Sequence, residues 1–411
     1  MRRLRTWLGG EPLLPVGVLA GLNLVDEFDR IAFATLTPEI RDSFGTNDAT
    51  INSIATVAAV MILVSAGPTG RLADRMSRVV LTWFAAVLWG IASLMTGLVP
   101  TLGLLLVVRI LSGIGRNANE IIHPSILTDL YPPKIHPRVF LLHRLANPVA
   151  QGSGILAGLL GGSIGWEWTF VVLAAPTFLL ALLLVKVEEP PRRGIQGERR
   201  ELGLLVAIGE LRKVDSLRRF WITAFFLAAS AIGIFQLISV YFEEIFDFGP
   251  EARGFTQFLV GVGWITGIFV GARAVDGRTD AEAAPRMAVI CSGGFGVLAL
   301  GALGLAASPV AWVALIATTI MSSGNGVWQA PYFSAVGRIA PEGLTGQAYA
   351  SSTLFYALGA LLSIPLFILG DAVSYRLAFV AVAVLALIAT ALARSVAPLI
   401  RSDLAARGES G

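Results

Sequence analysis

The 411-residue sequence predicts an all-α integral membrane protein of twelve transmembrane helices in two six-helix halves, with both termini cytoplasmic. Three observations lead there. Hydrophobic residues make up 55% of the chain and charged residues 14%, with a mean hydropathy of +0.73; a soluble domain carries about 25% charged residues. No Asp, Glu, Lys or Arg occurs in 49–70, 79–108, 168–185, 220–242, 254–272, 287–337 or 343–370. A span needs about 20 apolar residues, and in hydrocarbon the backbone must satisfy its own hydrogen bonds, so these stretches are read as helices. Finally, of 31 Lys and Arg, 24 fall in segments that alternate crossing puts inside, 4 within spans, and only Arg41, Arg253 and Arg376 outside. Positive charge gathers on the cytoplasmic side of membrane proteins.

The expected spans follow in order. The first, 13–37, comes after the basic segment "MRRLRTWLGGEPLLP" but contains Asp26, Glu27, Asp29 and Arg30. A signal-peptide core tolerates no such charge, so the segment is expected to be retained as a span. Spans two and three, 50–70 and 79–99, flank the charged turn "GRLADRMSR", Gly70 to Arg78. Span four, 102–130, carries Arg109, Arg116, Glu120 and His123 at spacings that form one helical stripe. Span five, 138–161, holds His143 and Arg144, then Gly154, Gly158 and Gly162 at the four-residue spacing of close helix contact. Span six, 166–186, closes the first half.

Residues 187–219, opened by "EEPPRRG" and mixed in charge, form the cytoplasmic linker between an N-terminal half, 1–186, and a C-terminal half, 220–396. Spans seven to twelve are 220–242, 253–272, 287–307, 310–337, 346–369 and 377–396, before a cytoplasmic tail, 397–411. The halves echo each other: Ser112-Gly113-Ile114-Gly115 answers Ser323-Gly324-Asn325-Gly326, Asp74 answers Asp276, Gly45 answers Gly249, and Phe170 answers Phe379. Internal repeats of this kind mark transporter folds with a substrate site near the midplane.

The residues inside spans give the expected site. Asp26, Glu27, Asp29 and Arg30 share an arc of about 160° on their helix with Asn23 and Thr37. Ionisable groups are costly in lipid, so that face should line a cavity. Asp29, with Asp26 and Glu120 behind it, is the expected proton carrier, since an acid beside other acids near mid-membrane can gain and lose a proton. Arg30, Arg109 and Arg116 are expected to meet the substrate's charge. The second half offers amides and rings instead, among them Asn325, Gln329, Trp328, Tyr332 and Tyr356, expected as the opposite, more apolar wall. The lone Cys291 permits no intrachain disulfide. The pI near 9.2 reflects topology, so no nucleic-acid partner is expected. No P-loop or metal-ligand pattern is legible, and no cofactor is expected beyond the proton gradient.

"GRLADRMSR" resembles the signature loop of the major facilitator superfamily, with Ser77 where glycine is usual. Its echo in the second half is Ala272, Asp276 and Arg278. The resemblance implies a cytoplasmic gate at Gly70, Asp74, Arg75, Arg78 and Asp276. In physical terms, Asp74 accepts from helix amides or an arginine in one state. "DRIAFATLTPEI", Asp29 to Ile40, "LADRMSR" and "GWEWTF" resemble the Spinster-like lysolipid and sphingolipid transporters. The first span, with "DEFD" and Pro38, also resembles aromatic-acid:proton symporters. The Spinster-like pattern has a glutamate seven residues after the span-four arginine; here Arg116 stands there, and Glu120 follows one turn later. The stretch Gly152 to Gly162 resembles the antiporter motif of drug exporters, with Leu159 in place of its proline. The reading is therefore a proton-coupled secondary transporter of an amphipathic, lysolipid-like solute, acting as a monomer in a bacterial inner (plasma) membrane. The alternatives are a symporter of small aromatic acids or a multidrug exporter. An enzyme would need a catalytic constellation, and none is legible.

Overall fold

A computed structural model describes residues 2–117, 121–132, 135–191, 204–231, 233–275, 282–341 and 344–406. Among them all regular structure is helical. The chain divides into two compact units, Met1–Gly197 with Phe248–Phe258, and Glu198–Asp247 with Leu259–Gly411.

Unit 1 holds α1 (Arg2–Trp7), α2 (Leu14–Thr35), α3 (Thr37–Ser43), α4 (Asp48–Arg75), α5 (Arg78–Thr96), α6 (Leu102–Asn117), α7 (His123–Leu130), α8 (His136–Ala150) and α9 (Ser153–Leu184). Unit 2 holds α10 (Leu204–Leu211), α11 (Asp215–Ala231), α12 (Ile234–Phe246), α14 (Ala283–Ala307), α15 (Ala311–Val327), α16 (Gln329–Ile339), α17 (Thr345–Ala360), α18 (Ser363–Ala372) and α19 (Tyr375–Ala406). The unit boundary falls within α13 (Pro250–Val275).

Among the described residues, α5, α9, α13, α14, the stretch Gln347–Ala372 and most of α19 are each long and apolar enough to cross a membrane. The chain is a multi-pass membrane protein. Several expected spans, read as single helices, are broken in the structure. The first stops at Leu36 because Pro38 lacks an amide and clashes with the preceding turn, so a new helix starts at Thr37. The tenth breaks at Trp328, just before Pro331, and the eleventh at Leu361 and Leu362, before Pro365. The seventh restarts after Gly233, whose φ of 80° suits glycine. The fifth breaks after Ala150, where α8 ends, and its remainder runs together with span six in α9, with the turn between them made at Gly165 (φ 86°).

The units repeat one packing pattern. In unit 1, α2 lies against α8 and α9, α5 against α6 and α9, and α4 against α6. In unit 2, α11 lies against α17 and α19, and α14 against α15 and α19. The glycine echo has a physical basis in this pattern, although its register differs from the one the sequence implies. A Cβ on Gly113 would meet the Ala58 carbonyl of α4 at 2.5 Å, and one on Gly115 the Ala85 carbonyl of α5 at 2.8 Å. In unit 2 the order is reversed: Gly324 faces the Gly294 carbonyl of α14 at 2.6 Å, and Gly326 faces Ile268 of α13 at 2.7 Å. Each pair wedges its helix between the two preceding long helices, α4 and α5 or α13 and α14, but aligning Gly113 with Gly324 matches α4 with α14.

The charged part of α2 lies between two apolar clusters. Val18, Leu19 and Leu22 pack with Ile122, Ile126 and Tyr131, whereas Ala32, Phe33 and Leu36 pack with Ile54, Trp166 and Phe170. Asp26 to Arg30 thus occupy a polar belt across an otherwise apolar bundle.

Candidate transport site

The belt is built by α2, α5, α6 and α8. Asp29, 3% exposed, accepts from Arg109 Nη1 at 2.8 Å and from Ser93 Oγ at 2.6 Å. The Arg109 guanidinium also lies 4.5 Å from the centroid of the Phe33 ring, a cation–π contact. Its Nε is buried without a partner among the described residues. Two turns further along α6, Arg116 Nε pairs with Asp26 Oδ2 at 3.0 Å and Nη2 with Glu27 Oε1 at 2.5 Å. Position rises along α6 from 109 to 116 as it falls along α2 from 29 to 26, as antiparallel neighbours require.

The other Glu27 oxygen takes Arg30 Nη2 at 2.6 Å, and Asn147 Nδ2 approaches Oε1 at 3.3 Å. Asn23 Nδ2 donates to Asn147 Oδ1 at 2.9 Å and to the His143 carbonyl at 3.0 Å. His143 and His123, both fully buried, face each other with Nε2 and Nδ1 3.1 Å apart. Asp26, Glu27 and Asp29 thus balance Arg30, Arg109 and Arg116, and each carboxylate has an arginine partner. Such pairs offset the cost of desolvating their charges only while both partners are present.

Of the residues expected at the site, Asp26, Asp29, Arg30, Arg109 and Arg116 come together in unit 1. Arg30 serves Glu27, not Asp29; the arginine that neutralises Asp29 is Arg109. Glu120 lies outside the described residues. Ser93, Asn147 and Phe33 were not singled out in the sequence, since a serine, an asparagine and a phenylalanine in apolar spans carry no pattern of their own.

In unit 2, Trp328 Nε1 donates to Asn325 Oδ1 at 3.1 Å, and Gln329 approaches the Asn325 carbonyl at 3.5 Å. Trp328 and Tyr332, expected on an open wall, are buried in this unit's packed cluster with Phe220, Trp221 and Phe295. Tyr356 and Phe355 stand half-buried beside it, with Phe355 stacked on Trp221 at 5.1 Å.

At the loop expected to form the cytoplasmic gate, the described contacts centre on Arg78. It reaches Asp129 Oδ2 at 2.5 Å, Ser125 Oγ at 2.8 Å, Glu189 Oε1 at 3.1 Å and the Pro190 carbonyl at 3.1 Å. Glu189 also accepts from Ser77 Oγ at 2.6 Å and from the Val79 amide at 2.8 Å. Burial raises the Glu189 carboxyl, but these hydrogen bonds outweigh it and hold the group below the usual glutamate range. Arg75 is exposed; the side chain of Asp74, the Gly70 environment and all of Asp276 lie outside the described residues.

The family model for the Major Facilitator Superfamily matches residues 19–364. Protein spinster homolog 1 of Bos taurus is 28% identical over 201 residues, 48% of this chain and 38% of that protein. The sphingosine-1-phosphate transporter SPNS2 of Danio rerio is 27% identical over 186 residues, 44% of this chain and 37% of that protein. In these alignments the chain spans less than two fifths of its relatives' length. A crystal structure of a bacterial homolog of the human lysosomal transporter Spinster, inward-facing and unoccupied, superposes with a TM-score of 0.79 at 18% identity. That match covers 96% of this chain and 99% of the other, and it shows a shared fold.

Proposed function

We propose that this chain, which belongs to the Major Facilitator Superfamily, moves an amphipathic, lysolipid-like solute across the membrane by alternating access coupled to protons. It is a transporter and not an enzyme. The observation that carries the proposal is the Asp29 site: a carboxylate in the middle of a membrane helix, held by one arginine at 2.8 Å and one hydroxyl at 2.6 Å. Protonation of Asp29 releases Arg109, and release of Arg109 frees a guanidinium for an anionic headgroup. The unpartnered Arg109 Nε supports this reading, because it is a buried donor awaiting an acceptor. Arg116 is the second headgroup candidate, reached by displacing Asp26 or Glu27.

On this reading the chain crosses the membrane twelve times, with both termini cytoplasmic, as a monomer in a bacterial inner membrane. The arginine bias supports the orientation. Burial of the substrate's apolar part contributes about 0.8 kcal/mol per CH₂. The zebrafish relative's description as a sphingosine-1-phosphate transporter supports a phosphate headgroup on a long chain.

A homologous lysophospholipid series bound to purified protein tests the substrate class. Affinity should rise with chain length, and Arg116→Ala should weaken every member similarly. Flat affinity, with full competition by benzoate-like acids, would replace the lipid reading with the aromatic-acid one.

A further inference from the structure

Beside Arg116, helices α2, α5, α6 and α7 of unit 1 surround a cavity of about 10 Å³. Leu22 and Ala86 supply apolar wall; Thr82, Trp89, Arg116 and His123 supply polar wall. A volume of roughly 10–15 Å³ holds one water and nothing larger, and a buried water needs about two to four polar partners. The cavity therefore has the size for one water, and its chemistry decides whether one belongs there.

Among the described residues, Trp89 Nε1 and His123 Nε2 are buried without a partner, on side chains of residues 4% and 0% exposed. Buried polar atoms are normally paired, and here both orphans belong to residues lining one small cavity. An indole nitrogen can only donate, and so can a guanidinium. Thr82 gives its hydroxyl hydrogen to the Arg78 carbonyl at 2.8 Å, so toward any other neighbour its oxygen accepts. A water balances this wall when His123 Nε2 is bare: it accepts from Trp89 and donates to His123 Nε2 and Thr82 Oγ1. With a hydrogen on Nε2, the wall would offer donors only, apart from Thr82.

We infer that one water sits in this cavity, bridging Trp89 Nε1 and His123 Nε2. The bridge fixes a tautomer. With Nε2 accepting, neutral His123 carries its hydrogen on Nδ1 and donates it to His143 Nε2, 3.1 Å away. Hydrogen bonds then run without a break from α5 to the belt. Trp89 donates to the water, the water to His123, and His123 to His143, whose carbonyl takes Asn23. Asn23 in turn holds Asn147, which reaches Glu27. The two histidines are neutral links that brace the belt, and they carry no proton themselves. The inference concerns bound water in the folded chain and is independent of the transported substrate.

Nitrogen NMR of the full chain in lipid nanodiscs, with isotope-labelled histidine, tests it, because the chain has only three histidines: His123, His136 and His143. Loss of signals in His136→Gln and His143→Gln assigns them. At neutral pH, His123 is expected with a hydrogen on Nδ1 and a bare Nε2, and magnetisation should pass from a long-lived water to Nε2. Trp89→Phe keeps a ring and removes the donor, so the His123 Nε2 signal should shift while that of His136 stays in place. A hydrogen on His123 Nε2, or no transfer from water to that atom, would overturn the inference. Both of these readouts come from the unaltered chain and decide it even if Trp89→Phe fails to fold.

Discussion

Asp29→Asn removes a charge with little change of size. It leaves Arg109 buried without its carboxylate, and breaking a buried pair in this way costs about 3–5 kcal/mol. A thermal scan should therefore show Asp29→Asn destabilised and the double variant Asp29→Asn with Arg109→Gln largely recovered, since a positive coupling marks a direct partner. Recovery by Arg30→Gln instead would assign Asp29 to the wrong arginine. Glu189 gives a pH prediction. Its carboxyl is held low in the folded state, so its contribution to stability is present above the ordinary glutamate range and fades as pH falls through the lowered value. Below about pH 4 the unaltered chain should lose stability faster than Glu189→Gln, which has no carboxyl there to titrate. Parallel melting curves for the two proteins between neutral and acidic pH would contradict this. At this scale the sequence was informative about charges and uninformative about what they touch. A carboxylate in a span announces itself, whereas Ser93 is one serine among many until the fold sets it 2.6 Å from Asp29.

The helices show what was legible and what was not. Charge-free runs located the apolar helices because the membrane core admits little else, and the four-residue glycine spacing in α9 does mark a close contact. A Cβ on Gly154 would meet the Gln257 side chain at 2.6 Å. The breaks at Leu36, Trp328 and Leu361 were less legible: Pro38, Pro331 and Pro365 were in view, but a proline within a long apolar run is compatible with a kink or a full break. Which one occurs depends on packing. Helix α6 offers a controlled test. Gly115→Val drives a side chain into the Ala85 carbonyl and the Trp89 Cβ, both 2.8 Å away, and shifts Arg116 next to it. Overpacking of this kind costs about 1–3 kcal/mol, so both melting temperature and transport should fall. Gly103→Ala on the same helix meets nothing within 4 Å. It should be neutral or gain up to about 1 kcal/mol from helix propensity. Equal effects in the two variants would show that the contacts of α6 with α5 do not position the site.

For the whole molecule, unit 1 carries a balanced ion-pair belt in which three acids meet three arginines, and on the proposed function a proton or an anionic headgroup would unbalance it. The two units repeat one packing pattern, yet the charges are concentrated in unit 1. That asymmetry was plain in the sequence, because spans seven to twelve are nearly free of charge. The fate of the aromatic residues was not, since a ring facing a cavity and a ring facing its own core have the same composition, and Trp328 and Tyr332 prove to be core. Proton coupling through Asp29 is the central claim. The most direct test is lysophospholipid movement and internal pH in proteoliposomes under an imposed pH gradient, comparing the unaltered chain with Asp29→Asn. The account predicts gradient-driven accumulation with proton movement in the unaltered chain, and exchange without accumulation in Asp29→Asn; full accumulation by Asp29→Asn would contradict it.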